Sequence, residues 1–350
     1  IRKRAWKKGA SLLSEVKSIH SKSTKGYLVA LASAAVLSTT AILIRHLTQS
    51  YHLPPLVLAF WRDGLVFFIL LPVLGLFNPV LLRLDRSRLF YLGGFGLVLA
   101  SFNALWTLSV ALNGAAVSTV LAYSSTGFTL LLGWCFLKER LNSFKILAVA
   151  FSLGGCAMVA GALNPAAWNV NLTGIVTGIL SGLCYALYTL MGRSAARRGL
   201  NPWTVLLYSF GFAALVLFLC NLLPVRIFPG ATGLKSIFYL KENLSGWGVL
   251  FLLAAGPTVI GFGLYNISLG YLPAGTVNLI AALEPVFTAI TAFSLLGERL
   301  SGMQLCGGLM ILAGVLLLWK NEGNSTASGF HRHYQQCDIQ AGHHQSDGPE

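Results

Sequence analysis

The sequence consists of apolar runs of about 20 residues, separated by short gaps that hold most of its charged side chains. Charged residues make up only 10% of the chain, whereas soluble domains carry about 25%. A run of this length crosses the apolar part of a bilayer as a helix, because a helix bonds its backbone groups internally. The pattern therefore predicts an all-α integral membrane protein.

Counting the runs between charged or Pro/Gly-rich breaks predicts ten transmembrane helices. Their approximate ranges are 27–47, 54–76, 88–111, 113–136, 143–163, 172–193, 202–223, 247–270, 273–296 and 301–320. Two neighbouring pairs are joined by very short turns, at Asn113-Gly114 and at Leu272-Pro273-Ala274. The segment before the first helix, 1–26, is predicted to be a basic N-terminal arm. The segment after the last helix, 321–350, is predicted to be a disordered polar tail.

The chain also carries an internal repeat. Leu137-Lys138-Glu139-Arg140-Leu141 and Leu296-Gly297-Glu298-Arg299-Leu300 are near copies, 159 residues apart, and this offset aligns residues on both sides of them. The first helices of each half align instead at an offset of 148, which overlays Ser33–Arg45 on Ser181–Arg193. Internal repeats of this kind are common in membrane transporters.

The repeat predicts how the two halves enter the membrane. Each half, 27–163 and 172–320, holds five predicted helices. Because five is odd, the second half must enter in the opposite orientation, which gives two inverted five-helix repeats. The Glu139 and Glu298 turns then lie on opposite faces, where we interpret each carboxylate as favouring the dipole of the helix that follows it.

The distribution of basic residues predicts the orientation. With a cytoplasmic N-terminus, nineteen Lys and Arg residues fall on the cytoplasmic side and five on the other side. This bias predicts a multi-pass protein of the plasma membrane with both termini in the cytoplasm. The formal net charge of +14 then indicates contact with anionic membrane lipids. It does not indicate nucleic acid, because no basic patch is interleaved with aromatic residues on a soluble domain.

Several motifs resemble the EamA-type branch of the drug/metabolite transporter superfamily. They are Ala186-Leu187-Tyr188-Thr189-Leu190 followed by Gly192-Arg193, Leu283-Glu284-Pro285-Val286-Phe287, and the Leu296–Leu300 copy followed by Gly307-Gly308 and Gly314. The resemblance covers about 27–320. It implies a ten-helix fold around a central cavity that exports amino acids or similar metabolites by alternating access.

The first half departs from this pattern. Ser125-Thr126 stand at the repeat position of Glu284-Pro285, and Lys138 replaces Gly297. A role implied for Glu284 therefore has no counterpart in the first half. This difference predicts that the two halves contribute unequally to the site.

Three charged residues fall inside the predicted helices, where a charge at the bilayer centre costs about 2.5–3.5 kcal/mol on insertion scales. Two of them are neighbours, Arg62 and Asp63. Arg62 could neutralise a substrate carboxylate, with Asp63 tuning it or carrying a proton. Alternatively the two form an internal pair that stabilises helix packing. Side chains of neighbouring residues point about 100° apart on a helix, so we expect them not to face one partner.

The third charged residue, Glu284, precedes Pro285. Proline lacks the N–H that would bond the carbonyl of Ala281, so it breaks the helix at this turn. A broken turn beside an acid is a site for a cation, a proton or an amino group. The alternative is a buried glutamate that bonds a neighbouring helix and holds the kink.

Polar and aromatic residues at matching depths of the predicted helices are candidates for substrate contact. They are Asn103, Trp106, Tyr123, Tyr185, Tyr188, Tyr265, Asn266 and Asn278, in addition to Arg62. The alternative for each is a hydrogen bond between helices. If these residues serve transport rather than packing, we assign Asp63 and Glu284 to proton or ion coupling.

These observations favour a secondary transporter that exports amino acids or similar small metabolites. Its expected partner is a small-molecule substrate. The sequence leaves open whether the protein forms a homodimer. The alternative within transport is a nucleotide-sugar or sugar-phosphate antiporter, which would need more cationic side chains in the cavity than Arg62 alone. An intramembrane enzyme or a lipid-handling protein is less favoured, because no catalytic motif, cofactor motif or metal-ligand spacing falls in the helices.

Overall fold

The computed structural model describes residues 23–139, 141–163, 171–223, 237–240, 243–296 and 301–320. Within these ranges the protein is helical and has no strand. Nine helices are long and apolar enough to cross a membrane, and one further helix is apolar but shorter. The prediction of an all-α membrane protein with ten apolar helices is confirmed.

The ten helices follow the predicted order. They are α1 Ser23–Ser50, α2 Pro55–Phe77, α3 Arg86–Val110, α4 Val117–Leu137, α5 Ser143–Val159, α6 Leu172–Arg197, α7 Pro202–Leu222, α8 Leu244–Tyr271, α9 Ala274–Ala281 with Glu284–Leu296, and α10 Gly302–Lys320. A 3-10 helix, Pro79–Leu82, follows α2. The end of the predicted arm, 23–26, begins α1. The rest of that arm, the predicted tail and the Glu298 turn lie outside the described residues.

The turn between α3 and α4 is a tight helical hairpin. The backbone keeps a helical conformation over Arg86–Tyr123, yet Ser109 Oγ lies 2.8 Å from Ser118 Oγ. Nine residues of straight helix would separate these atoms by about 13 Å. The chain therefore reverses between them, as predicted. At the tip, Asn113 exchanges hydrogen bonds of 3.2 and 2.8 Å with the backbone of Asn171.

Both α4 and α9 are interrupted at the same position of the repeat. The break in α9 lies at Ala282-Leu283, between a first segment that ends at Ala281 and a second that begins at Glu284. This confirms the broken turn predicted from Pro285. The break in α4 lies at Ser124, although the first half has no proline there. Each break places the next residue, Glu284 or Ser125, at the start of a new helical segment.

Small residues bring the helices close together. A Cβ at Gly178 of α6 would lie 2.7 Å from Ser109 Oγ on α3 and 2.7 Å from Leu121 Cδ1 on α4. A Cβ at Gly96 of α3 would lie 2.7 Å from the carbonyl oxygen of Ser209 on α7. Glycine is required where helices approach this closely, since any side chain would push them apart.

One helix contact occurs twice, at the offsets of the sequence repeat. A Cβ at Gly26 would lie 2.8 Å from Leu272 Cγ, and a Cβ at Gly174 would lie 2.6 Å from Asn113 Cγ. The two glycines are 148 residues apart, and their partners are 159 residues apart. The contact of α1 with the end of α8 thus uses the same positions as the contact of α6 with the end of α3. The inverted orientation of the two halves stays a prediction.

The α5–α10 contact provides a test of this packing. A Cβ at Gly155 would lie 2.5 Å from the carbonyl oxygen of Gly307 and 2.6 Å from Ile311 Cγ1. We expect Gly155→Ala to lower the free energy of unfolding by about 1–3 kcal/mol through overpacking, measured by unfolding in detergent. Gly248→Ala is the matched control, because a Cβ there meets open space. Equal stability of the two variants would contradict the observed contact.

Candidate functional site

Arg62 and Asp63 on α2 form a closed hydrogen-bonded group with Asn103 on α3. Arg62 Nε donates to Asp63 Oδ1 at 3.0 Å, and Arg62 Nη2 donates to Asn103 Oδ1 at 2.8 Å. Asn103 Nδ2 donates to Asp63 Oδ2 at 2.8 Å. Arg62 is 8% exposed and Asp63 is completely buried.

The expectation that Arg62 and Asp63 would not face one partner is wrong. The arginine side chain is long enough to fold back along α2, so its guanidinium contacts both its own neighbour and α3. Charges buried in a membrane protein need an opposite charge and hydrogen-bond partners. Both charges find them inside this group. This geometry matches the internal pair of the packing hypothesis. The substrate and proton roles of the two residues stay predictions.

A second polar cluster, Ser125, Thr189, Tyr265 and Asn278, joins four helices in the interior. Thr189 Oγ1 donates to the carbonyl oxygen of Tyr185 at 2.9 Å and lies 2.8 Å from Tyr265 OH. Asn278 Nδ2 donates to Thr189 Oγ1 at 3.2 Å, and Ser125 Oγ donates to Asn278 Oδ1 at 3.3 Å. The cluster therefore links α4, α6, α8 and α9 through neutral groups.

Two members of this cluster, Ser125 and Thr189, are absent from the residues that sequence analysis selected. Both carried a signal. Thr189 lies inside the Ala186–Leu190 motif, and Ser125 occupies the repeat position of Glu284. A hydroxyl in a helix more often bonds its own backbone, so neither residue stood out from its type alone.

Aromatic rings pack around the cluster. Tyr185 contacts Phe102 and Tyr265 at centroid distances of 5.2 and 6.1 Å. Asn266 Nδ2 donates to the hydroxyl of Tyr188 at 3.2 Å. The four tyrosine and asparagine side chains here are buried. The residues predicted to line a cavity are thus brought together, but they pack against one another in this structure.

Glu284 lies beside this cluster, at the start of the second segment of α9. Tyr123 OH donates to Glu284 Oε2 at 3.3 Å, and Tyr123 is the last residue of α4 before its break. The two interrupted helices therefore meet at this hydrogen bond. Glu284 as a residue is partly exposed, and its carboxylate is hydrogen-bonded by the neighbouring helix α4. A carboxylate beside a break in a membrane helix can bind a cation or an ammonium group.

Trp106 is not part of the cluster. It is partly exposed on α3. Among the described residues, no hydrogen bond or ring contact joins it to the other predicted site residues. Its predicted role in substrate contact therefore has no geometric support from the cluster.

These features, ten apolar helices with a buried polar group at their centre, agree with the result of a family comparison. The model of the EamA-like transporter family matches residues 24–161 and again 172–320. The chain belongs to the EamA-like transporter family. The resemblance inferred from the motifs is confirmed, and the family is one of transporters rather than enzymes.

Several curated relatives of this chain carry transport names. An uncharacterized transporter of Archaeoglobus fulgidus is 26% identical over 82% of this chain and 94% of that protein. A probable amino-acid metabolite efflux pump of Salmonella typhimurium is 26% identical over 76% of this chain and 86% of its own length. The threonine/homoserine exporter RhtA of Salmonella typhimurium is 27% identical over 69% and 75%. These relatives support transport by a multi-pass membrane protein.

A solved crystal structure has the same fold. It superposes with a TM-score of 0.67 over 84% of this chain and 97% of that chain, at 16% sequence identity. At this identity the likeness establishes the fold alone. This fold places the central cluster, formed by Ser125, Thr189, Tyr265 and Asn278, between four helices.

Proposed function

We propose that this EamA family member is a secondary transporter that exports amino acids or similar small metabolites across the plasma membrane by alternating access. The observation that carries the proposal is the polar cluster of Ser125, Thr189, Tyr265 and Asn278, which joins four helices in the interior. Polar groups inside a membrane bundle are costly to bury and can line a substrate pathway as well as bond helices together. Helices that meet at one cluster can move relative to each other around it.

The chemistry beside the cluster suits an amino acid. Hydroxyl and amide groups hydrogen-bond both the carboxylate and the ammonium group of such a substrate. The Glu284 carboxylate, hydrogen-bonded by Tyr123, supplies a negative charge for the ammonium group or a site for a coupling proton. The names of two relatives, an amino-acid metabolite efflux pump and a threonine/homoserine exporter, support the same substrate class.

A nucleotide-sugar or sugar-phosphate antiporter is less well supported. Its substrates carry two or more negative charges, which require cationic groups that are free to bind phosphate. Arg62 is the cation in the middle of the described helices, and its guanidinium already donates to Asp63 and Asn103. Binding phosphate there would require breaking this buried group.

The proposal includes two inverted halves and cytoplasmic termini. The excess of Lys and Arg on one side of the membrane supports this orientation. The recurrence of one helix contact at Gly26 and at Gly174 supports an equivalent packing in the two halves. Two such halves would rock about the central cluster to expose it to each side in turn.

Uptake into proteoliposomes tests the proposed function. Purified protein would be reconstituted and offered a panel of labelled amino acids, nucleotide sugars and sugar phosphates, with and without an imposed pH gradient. We expect uptake of at least one amino acid above that of protein-free liposomes, with competition by related amino acids. Uptake of a nucleotide sugar instead would favour the antiporter. Uptake of none of the amino acids would contradict the proposal.

A further inference from the structure

The Glu139 carboxylate bonds the start of a helix in the other half of the chain. Glu139 Oε1 accepts from the backbone N–H of Ala274 at 2.9 Å, and Oε2 accepts from that of Gly275 at 3.5 Å. Ala274 is the first residue of α9. The interpretation that Glu139 serves the helix that follows it is therefore wrong, because its carboxylate caps α9 and not α5. A carboxylate at a helix N-terminus is favoured by the unpaired N–H groups and by the helix dipole.

The backbone around Glu139 directs the side chain toward α9. Lys138 ends α4 in the left-handed conformation, with φ of 54°. The N–H of Glu139 then bonds the carbonyl oxygen of Gly133 at 3.1 Å, which turns the chain back over the end of α4. Glu139 is 9% exposed. Glutamate side chains without a partner are almost never buried. The hydrogen bonds to Ala274 and Gly275 therefore hold this side chain in its buried position.

Arginines of α6 hold the helix ends on either side of the same contact. Arg193 Nη1 donates to the carbonyl oxygen of Leu269 near the end of α8. Arg197 Nη1 donates to the carbonyl oxygen of Leu137 at the end of α4, at 3.2 Å. Cations are favoured at helix C-termini, as carboxylates are at N-termini. The turn between α8 and α9 is thus held from α6 by a cation and from α4 by Glu139.

This contact lies over the end of the α4–α9 interface. A Cβ at Gly275 would lie 3.6 Å from Leu130 Cδ1 and 3.8 Å from Leu130 Cα, so α4 and α9 are in direct contact below Glu139. Asn278, one turn further along α9, belongs to the central cluster. Separating α4 from α9 at this end would therefore expose the cluster to the adjoining side of the membrane.

We propose that Glu139 is a latch residue that closes this end of the pathway, and that it must release the N–H of Ala274 for the cluster to open to that side. Arg193 is a positioning residue that holds the α8–α9 turn within reach of the carboxylate. The proposal rests on the proposed transport function, because a latch has meaning only where the interface opens. It gives the Glu139 copy of the repeated motif a role in gating.

Cysteine accessibility tests the latch without any substrate. The six cysteines would be replaced by alanine, Leu130→Cys introduced, and a membrane-impermeant maleimide applied to each side in turn. We expect Glu139→Ala to speed labelling from the Glu139 side by about tenfold or more, since a hydrogen bond to a charged group is lost. Asp85→Ala is the matched control, because Asp85 also caps a helix start, but with an exposed carboxylate that pairs within its own helix α3. An unchanged labelling rate in Glu139→Ala would overturn the proposal.

A cross-link provides a second test that leaves Glu139 in place. Leu130→Cys with Gly275→Cys puts two thiols within reach of each other across α4 and α9. Oxidation is expected to stop transport of whichever panel compound is accepted, and reduction to restore it. If the oxidised protein transports as fast as the protein with reduced thiols, α4 and α9 need not separate here. If no panel compound is transported, the proposed function fails while the labelling test still decides the latch.

Discussion

Replacing Asp63 by alanine is expected to lower the free energy of unfolding by about 3–5 kcal/mol, the range for leaving one partner of a buried ion pair uncompensated. The variant keeps the Arg62 guanidinium, which is 8% exposed, but removes the carboxylate that Nε contacts at 3.0 Å. It also removes the acceptor of Asn103 Nδ2. Chemical unfolding in detergent, followed by tryptophan fluorescence, measures the change.

Asp85→Ala is the control for this effect. Asp85 pairs with Arg88 at 2.9 Å, almost the same distance, but both side chains are exposed. Exposed pairs contribute about 0–1 kcal/mol, so this variant should unfold close to the parent. A loss in Asp63→Ala no larger than in Asp85→Ala would contradict the paired burial of Arg62.

An apolar replacement of the whole group separates packing from transport. Arg62→Met with Asp63→Leu and Asn103→Leu removes all three polar partners together, a change that is often neutral or stabilising for buried ion pairs. A stable variant that still transports would assign the group to packing. A stable variant that has lost transport would assign it to the substrate pathway, as the sequence hypothesis for Arg62 predicts.

Replacing Glu284 by glutamine is expected to abolish the response of transport to an imposed pH gradient. Glutamine keeps the size of the side chain and an acceptor for Tyr123 OH, which lies 3.3 Å from Glu284 Oε2, but it cannot bind or release a proton. Gradient-driven accumulation in proteoliposomes should fall to the level without a gradient. Exchange of substrate across the membrane should continue, since it requires no net proton movement.

Two further variants make the Glu284 result specific. Tyr123→Phe removes the hydrogen bond but keeps the carboxylate, so the gradient response should persist with altered kinetics. Asp85→Asn removes a carboxylate from the exposed start of α3 and should leave the response unchanged. A full gradient response in Glu284→Gln would exclude this residue from proton coupling.

The order and type of the helices could be predicted because the physical signals are local. Apolar length specifies a membrane helix, and Pro285 specifies the break in α9 because it lacks an N–H. The break in α4 at Ser124 carried no such signal. It recurs at the repeat position of the α9 break, which indicates that tertiary packing produces it in the absence of proline.

The contacts of the site depend on distances between helices, which periodicity does not provide. Arg62 and Asp63 reach Asn103 together because α3 passes close enough for a long side chain to fold back. Glu139 reaches Ala274 across 135 residues of sequence. No local pattern distinguishes a carboxylate that caps the next helix from one that caps a helix of the other half.

We expect the cluster around Asn278 to bind the transported amino acid. Counterflow tests it most directly: proteoliposomes preloaded with unlabelled amino acid are diluted into the labelled compound, for the parent protein and for Asn278→Leu. Asn278 supplies the amide group of the cluster from α9, so its loss should abolish binding in a variant that stays folded. We expect transient accumulation of label with the parent protein and none with the folded variant. Equal accumulation in both, or none with any amino acid, would contradict it.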